Sequence, residues 1–246
     1  MGWTGILCAI AIVLAASAPA GALTSGHFDV EFKGCSDPGN CGLRPLLDAA
    51  YDDVNGLFGT CPGHIEVEFI SDHDMDRVGK QVDSFNGWNK EFSIVILRNS
   101  SIHNSSLPVL VRHELTHLAI NEILCKKDPA GFHWMEEGIC TLVSKEPLDD
   151  ADVSNYIVKH GFLDTGQIYD AIKSEDCAAS KNGYMQSYGL VKYMQKRYGF
   201  SLVKELLECP DESLDDAFLK YTGESFASFY DEWKGQVKPS MAIKQA

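Results

Sequence analysis

Three residues near the middle of the chain have the types and spacing of a metal-dependent hydrolytic site. They are His113, Glu114 and His117, in the segment His-Glu-Leu-Thr-His. On an α-helix, side chains four residues apart lie on one face, so His113 and His117 can offer two imidazole nitrogens to one Zn²⁺. Glu114 points about 100° away around the helix, where it can take a proton from a water that zinc has acidified. The spacing therefore predicts one zinc ion per chain, with Glu114 as general base.

The residues around this segment favour a helix. Asn104, Ser105 and Ser106 are suitable N-caps, and Pro108 suits a first helical turn. Apolar residues then recur with helical spacing at Leu107, Leu110, Val111, Leu115, Leu118 and Leu124. We therefore expect the two histidines to share one face of a helix.

A catalytic zinc site needs a third protein ligand and one open position. The metzincin pattern is excluded, because Ile120 and Ile123 occupy the positions of its Gly and third His. Downstream, Trp134–Gly138 reads Trp-Met-Glu-Glu-Gly. This segment resembles the W-x-x-E-G stretch of the gluzincin metallopeptidases, in which a second helix supplies a glutamate ligand. The resemblance makes Glu137 the third zinc ligand, and the nineteen residues between it and His117 leave room for a turn between two helices.

Two neighbours of Glu137 are alternatives. Glu136 is the rival ligand, because adjacent helical residues point about 100° apart and only one of the two can face the metal. Cys140 lies on a similar helix face and could approach the metal, although a buried thiol is also common as a small hydrophobic residue. Gly138 is expected to let the two zinc-binding helices approach closely.

The C-terminal part adds to the resemblance. Residues 184–199 are similar to the helix that follows the zinc-binding helices in peptidase-MA-like gluzincins. In that family a tyrosine at the start of this helix stabilises the oxyanion, and the matching residue is Tyr184. Tyr188, one turn later, is the alternative, and His160 is a third candidate that no motif places. Both tyrosines could instead pack the helical lobe. The G-x-M-E-N exopeptidase motif is absent, so the mode of cleavage stays open.

The first residues, Met1–Ala22, are typical of a signal peptide, with an apolar core from Gly5 to Ala16 and small residues before a cleavage site after Ala22. A membrane anchor is the alternative, because the segment begins without Lys or Arg, but its apolar run is short for a span. We expect residues 23–246 to be secreted, or held in the lumen of the secretory pathway, without membrane association.

Cysteines and sequons suit that compartment. Eight cysteines are present, and loss of Cys8 with the signal leaves an odd number. Cys35 and Cys41 flank a turn sequence and are candidates for a local disulfide, while the other connectivity is open. Asn99 and Asn104 begin N-x-S sequons, which predict glycosylation in a cell that has the machinery.

The remaining pattern predicts an α+β, zincin-like domain. Residues 23–104 should form an α/β lobe with a small mixed sheet, with strands at 28–32, 65–70 and 92–97 and an amphipathic helix at 43–58. By the gluzincin resemblance, the strand at 92–97 is a candidate edge of the substrate cleft, to which an extended peptide could add, and a plain core strand is the alternative. The acidic residues 72–76 lack EF-hand spacing and are expected to form a solvated loop.

Residues 105–246 should hold the two zinc-binding helices and a C-terminal helical lobe. Six further helices are predicted, at 153–160, 166–174, 183–198, 201–208, 212–222 and 225–237.

Charge and motifs together narrow the function. A formal net charge of −14 argues against nucleic acid or an anionic membrane as partner. The motifs indicate a secreted zinc metallopeptidase that acts on a protein or peptide substrate. The alternative is a non-catalytic zinc-binding module that retains the fold. Glu114 argues against it, because a structural zinc site needs no base and is closed by four ligands. Substrate preference and oligomeric state stay open.

Overall fold

The computed structural model describes residues 23–33, 42–77, 84–88, 93–98, 106–124, 132–209 and 212–237. The predicted signal peptide (1–22), the candidate disulfide between Cys35 and Cys41, and the sequons at Asn99 and Asn104 lie outside these residues. Across the described ranges, no helix is both long and apolar enough to cross a bilayer.

The protein is α+β, with one small sheet and a majority of helices, and it divides into two compact units. The first comprises the described residues up to Asp48 together with Pro62–Leu107, and the second comprises Ala49–Cys61 and the described residues from Pro108 onward. Helix α1 (Leu43–Phe58) begins in the first unit and continues in the second, so the units do not follow a single division of the chain.

The first unit contains a five-stranded sheet. Its strands are β1 (Leu23–Ser25), β2 (Phe28–Lys33), β3 (Ile65–Ile70), β4 (Ser84–Trp88) and β5 (Ser93–Arg98), in the order β1-β2-β3-β5-β4. The three central strands β2, β3 and β5 are parallel, and β1 and β4 pair antiparallel to them at the two edges. The predicted strands at 28–32, 65–70 and 92–97 are thereby confirmed within a residue or two, as is α1.

Alternation along the central strands puts apolar side chains on one face. Phe32 and Phe69 are paired across β2 and β3, and their buried rings stack with centroids 5.2 Å apart. The same face buries Phe28, Val30, Ile65, Val67, Val95 and Leu97. Period-two alternation of this kind is what made these strands recognisable in the sequence.

For this unit the structure decides one open alternative and corrects one expectation. Strand β5 is an interior strand, the alternative to a cleft edge, because β4 pairs along it and occupies its outer hydrogen-bonding groups, so an added peptide has no free edge there. The acidic segment 72–76 is not a loop but lies in a short helix, α2 (Asp72–Arg77). Ser71 caps it by accepting a hydrogen bond from the backbone N–H of Asp74 (3.1 Å), and acidic residues in a first turn favour the helix dipole.

The second unit is helical. After α1 it contains α3 (Leu107–Ile123), α4 (His133–Val143), α5 (Asp150–His160), α6 (Thr165–Ile172), α7 (Cys177–Tyr198), α8 (Phe200–Leu207), α9 (Leu214–Thr222) and α10 (Phe226–Gln236). All the predicted helices are present. Helix α7 begins six residues earlier than predicted, because Asp176 caps it by accepting from the backbone N–H of Ala179 at 2.7 Å. Tyr184 is therefore in the third turn of α7 and not at its start.

Helix α7 packs closely against its neighbours at small residues. An added Cβ at Gly138 of α4 would lie 2.5 Å from the backbone oxygen of Ser187 in α7, and one at Gly183 would lie 2.7 Å from the backbone nitrogen of Ile172 in α6. Gly138 thus serves the crossing of α4 with α7, since the atoms nearest to an added Cβ all belong to Ser187 and not to α3, the neighbour expected from the sequence. The buried side chain of Gln186 also accepts from the backbone N–H of Leu163 (2.9 Å), which ties the loop before α6 to α7.

Gly138→Ala should lower the free energy of unfolding by about 1–3 kcal/mol, because the new methyl group collides with backbone that cannot move alone. Chemical denaturation of the two proteins measures the difference. The matched control is Gly56→Ala in α1, where an added Cβ meets nothing within 4 Å. That control should be neutral or stabilising by up to about 1 kcal/mol. Equal stability of Gly138→Ala and the parent protein would contradict the tight crossing.

Candidate metal centre

Helices α3 and α4 present the side chains that the sequence singled out, and two hydrogen bonds hold α4 in place. Near its start, the hydroxyl of Ser187 donates to the backbone oxygen of Trp134. Just past its end, the guanidinium Nε of Arg112 donates to the backbone oxygen of Ser144 at 3.2 Å. Arg112 immediately precedes His113, so the same turn of α3 holds α4 and presents the first histidine. No motif in the sequence marks Arg112 or Ser187 for this task.

Three side chains converge on one point. His113 Nε2 lies 3.2 Å from Glu137 Oε2 and 3.3 Å from His117 Nε2, and His117 Nε2 lies 3.5 Å from Glu137 Oε2. Ligands of a tetrahedral zinc ion at about 2.0–2.1 Å are about 3.3 Å apart. The structure therefore brings together the two predicted histidines and Glu137 with the separations that such an ion requires.

The chemistry of these atoms agrees with the distances. The convergent atoms are two imidazole nitrogens and a carboxylate oxygen, which are the usual donors to zinc. A single proton on one nitrogen can satisfy only one of the three close contacts, whereas a cation at the centre satisfies all three. The side chains of His113 and Glu137 are 19% and 21% exposed, so the centre is not fully enclosed.

Glu136 does not face the same point. Its Oε1 lies 2.7 Å from His117 Nδ1, on the opposite edge of the ring from the Nε2 that faces Glu137. The two adjacent glutamates thus contact different nitrogens of one imidazole. Glu137 Oε2 thus faces the Nε2 atoms of both histidines, whereas Glu136, the rival in the sequence, contacts the other nitrogen of His117.

Cys140 is a further donor beside the histidines. Its Sγ and one ring nitrogen from each of His113 and His117 all lie within 4.8 Å of one another, and the thiol is fully buried. Burial raises the pKa of this thiol to about 12, so it is protonated at neutral pH unless a metal displaces the proton. The sequence had placed Cys140 on this helix face, and the structure brings it to the histidines.

The centre attracts positive charge. Burial by itself would lower the pKa of His117, yet Cys140, Glu137 and Glu136 raise it well above its ordinary value. Burial would likewise raise the pKa of the Glu137 carboxyl, but His117 and His113 hold it well below its ordinary range. A carboxylate that stays ionised while buried between two imidazoles is suited to a cation.

Glu114 and Tyr184 are the two other residues that the sequence assigns to this site. Glu114 is buried on α3. Burial first, and then the charge of Glu137, raise the pKa of Tyr184, and Glu114 contributes in the same direction. Tyr184 is thus within electrostatic reach of both glutamates and keeps its phenolic proton at neutral pH.

The two other candidates for stabilising the oxyanion, Tyr188 and His160, contact other residues. The hydroxyl of Tyr188 is buried and hydrogen-bonded to Lys192 Nζ at 3.1 Å, and Lys192 pairs with Asp150. His160 is exposed in the last turn of α5, where its ring stacks on Tyr156 with centroids 4.2 Å apart. Of the three candidates, Tyr184 is the one whose pKa is raised by burial and by the charges of Glu137 and Glu114.

A comparison with models of known protein families gives no match, and none of the curated proteins matches the chain in sequence.

The three converging donors predict the metal ligands. His113→Ala, His117→Ala and Glu137→Ala should each lower zinc affinity by at least about 10²-fold, because each removes a direct donor. Metal content after chelation and reloading, with a competing chromophoric chelator, measures the change. Cys140→Ser is the discriminating control and should retain zinc. Loss of zinc in Cys140→Ser together with full retention in Glu137→Ala would transfer the third ligand to Cys140.

Proposed function

We propose that the protein is a zinc-dependent metallopeptidase of the gluzincin type, with a zincin-like fold, that hydrolyses peptide bonds. The convergence of His113, His117 and Glu137 at tetrahedral separations carries this proposal. The spacing of the His-Glu-x-x-His and Trp-x-x-Glu-Gly segments supports it. Zn²⁺ held by these donors would act as a Lewis acid and lower the pKa of a coordinated water toward about 7.

Glu114 is assigned the transfer of protons. It follows His113 directly on α3, so its carboxylate is turned about 100° from the ligand. In that position it accepts the proton of the attacking water and can return it to the departing amine, which leaves no covalent acyl-enzyme. A structural zinc site needs no general base, and this favours the hydrolytic role of the buried Glu114 carboxylate.

Tyr184 is assigned the stabilisation of the oxyanion. Attack on the carbonyl carbon builds negative charge on its oxygen, and a phenolic proton can donate a hydrogen bond to it. A phenol keeps its proton at neutral pH, and burial and Glu137 raise the pKa of Tyr184 further, so the proton that this role requires is present. Tyr188 is already hydrogen-bonded to Lys192 and is not assigned this role.

A closed, non-catalytic zinc site is the second candidate. Its support is Cys140, which lies beside both histidines and would give the metal a fourth protein ligand. Cobalt substitution separates the two functions, because a Co²⁺–thiolate bond gives an intense near-ultraviolet charge-transfer band. We expect the band to be absent and a mixed peptide library to be cleaved, as read by mass spectrometry. A thiolate band without cleavage would favour the closed site.

The place of action is proposed to be the secretory pathway or the extracellular space. This rests on the signal-like residues 1–22 and on the cysteine count. Cys61, Cys140, Cys177 and Cys209, the described cysteines, are free thiols, so any disulfide within the chain must join two cysteines outside the described residues.

Glu114→Gln should keep zinc but lose at least about 10²-fold in turnover, because the amide cannot accept the proton from water. Zinc content and peptide hydrolysis are measured on the same preparation. Near-normal turnover with full zinc would remove Glu114 from the role of base.

Tyr184→Phe should keep zinc and thermal stability but lose about 10- to 10³-fold in turnover, the range for one oxyanion donor. Tyr188→Phe is the matched control on the next turn of α7 and should turn over normally, since its hydroxyl contacts Lys192. If the control lost activity and Tyr184→Phe did not, the assignment of the two tyrosines would be reversed.

A further inference from the structure

Two adjacent glutamates of α4 contact the two different nitrogens of one imidazole, that of His117. Glu137 Oε2 faces His117 Nε2 at 3.5 Å, and Glu136 Oε1 lies 2.7 Å from His117 Nδ1. The second distance is that of a charge-assisted hydrogen bond. An ionised carboxylate can only accept, so Nδ1 must carry the hydrogen. In a neutral ring this leaves the lone pair on Nε2, which is the nitrogen that faces His113 and Glu137.

We propose that Glu136 is a positioning residue that fixes the tautomer and the orientation of His117 and thereby raises the affinity of the centre for zinc. The proposal rests on the proposed function, because it takes His117 Nε2 as a ligand. A carboxylate behind a histidine makes the ligating nitrogen more basic and restricts rotation of the ring. Glu136 does this from the residue adjacent to the ligand Glu137, so a single turn of α4 supplies both a metal ligand and the partner of another ligand.

The burial of His117 explains why its hydrogen bond to Glu136 should affect zinc affinity. The His117 side chain is only 9% exposed, so water competes weakly for Nδ1, whereas the Glu136 side chain is 29% exposed. Removing the carboxylate of Glu136 therefore leaves no large cavity, but it deprives a buried N–H of its partner. The ring could then turn or shift its proton to Nε2, and either change would withdraw the lone pair from the metal.

The test is the zinc affinity of Glu136 variants, measured by competition with a chromophoric chelator. Glu136→Ala should bind zinc about 10- to 100-fold more weakly than the parent, the range found when such partners are removed. Glu136→Gln should lie between the two, because its amide oxygen still accepts from Nδ1 but carries no charge. Glu122→Ala, which removes a half-buried carboxylate of α3 that follows His117 by five residues, is the control and should leave zinc affinity unchanged.

A second measurement reads the ring directly. Long-range ¹⁵N–¹H correlation spectra of the zinc-loaded parent should show His117 with its hydrogen on Nδ1. In Glu136→Ala this single state should give way to a mixture, while the melting temperature of the metal-free protein changes little.

The outcomes separate this proposal from the proposed function. If His117→Ala loses zinc while Glu136→Ala binds it as tightly as the parent, the positioning role is overturned and the metal site stands. If Glu136→Ala loses zinc as completely as His117→Ala while Glu137→Ala retains it, Glu136 is itself the ligand. If none of the histidine variants changes zinc affinity, the proposed function fails.

Discussion

The crossing of α4 with α7 at Gly138 and Ser187 is the constraint on which the candidate site depends. The two backbones approach so closely that even one methyl group at Gly138 would collide with Ser187. Glu137 directly precedes this contact, so the rotation of α4 about its own axis is set there. The same crossing also fixes α7, the helix that carries Tyr184. A glycine without any catalytic atom thus determines where the carboxylate and the phenol are placed.

Burying the ionisable groups of the centre close together costs free energy, and the packing of the surrounding helices must offset that cost. His113, His117 and Glu137 put three donor atoms within 3.2–3.5 Å of one another, with Glu136 and Cys140 close by. The imidazoles and the carboxylates stabilise one another's charged forms, which is why the pKa of His117 is raised and that of Glu137 is lowered despite their burial. A divalent cation would replace the protons on these groups and satisfy every donor at once. Metal binding and folding of this region should therefore be coupled.

The sequence predicts those elements that have a strong local signal, and it misses those without one. Helix α1 and the buried central strands follow from hydrophobic periodicity, and their bounds agree closely with the structure. Strand β4 carries no alternating pattern, so the sequence alone could not decide whether β5 is an edge or an interior strand. The first turns of α7 are polar and resemble a loop, although Asp176 caps them as a helix. Each segment that was not predicted is one whose structure is decided by the strand it pairs with or by its capping residue.

The ambiguity between Glu136 and Glu137 shows where sequence reasoning must stop. Helical geometry separates the two side chains by about 100° and says that both cannot face the same point. It does not say which one does, because that depends on the rotation of α4 against α3 and α7. Arg112, Ser187 and Gly138 fix that rotation through contacts between residues far apart in the chain. With α4 in this rotation, Glu136 also has a contact of its own. Its side chain points about 100° away from that of Glu137, and this direction brings its carboxylate to Nδ1 of His117.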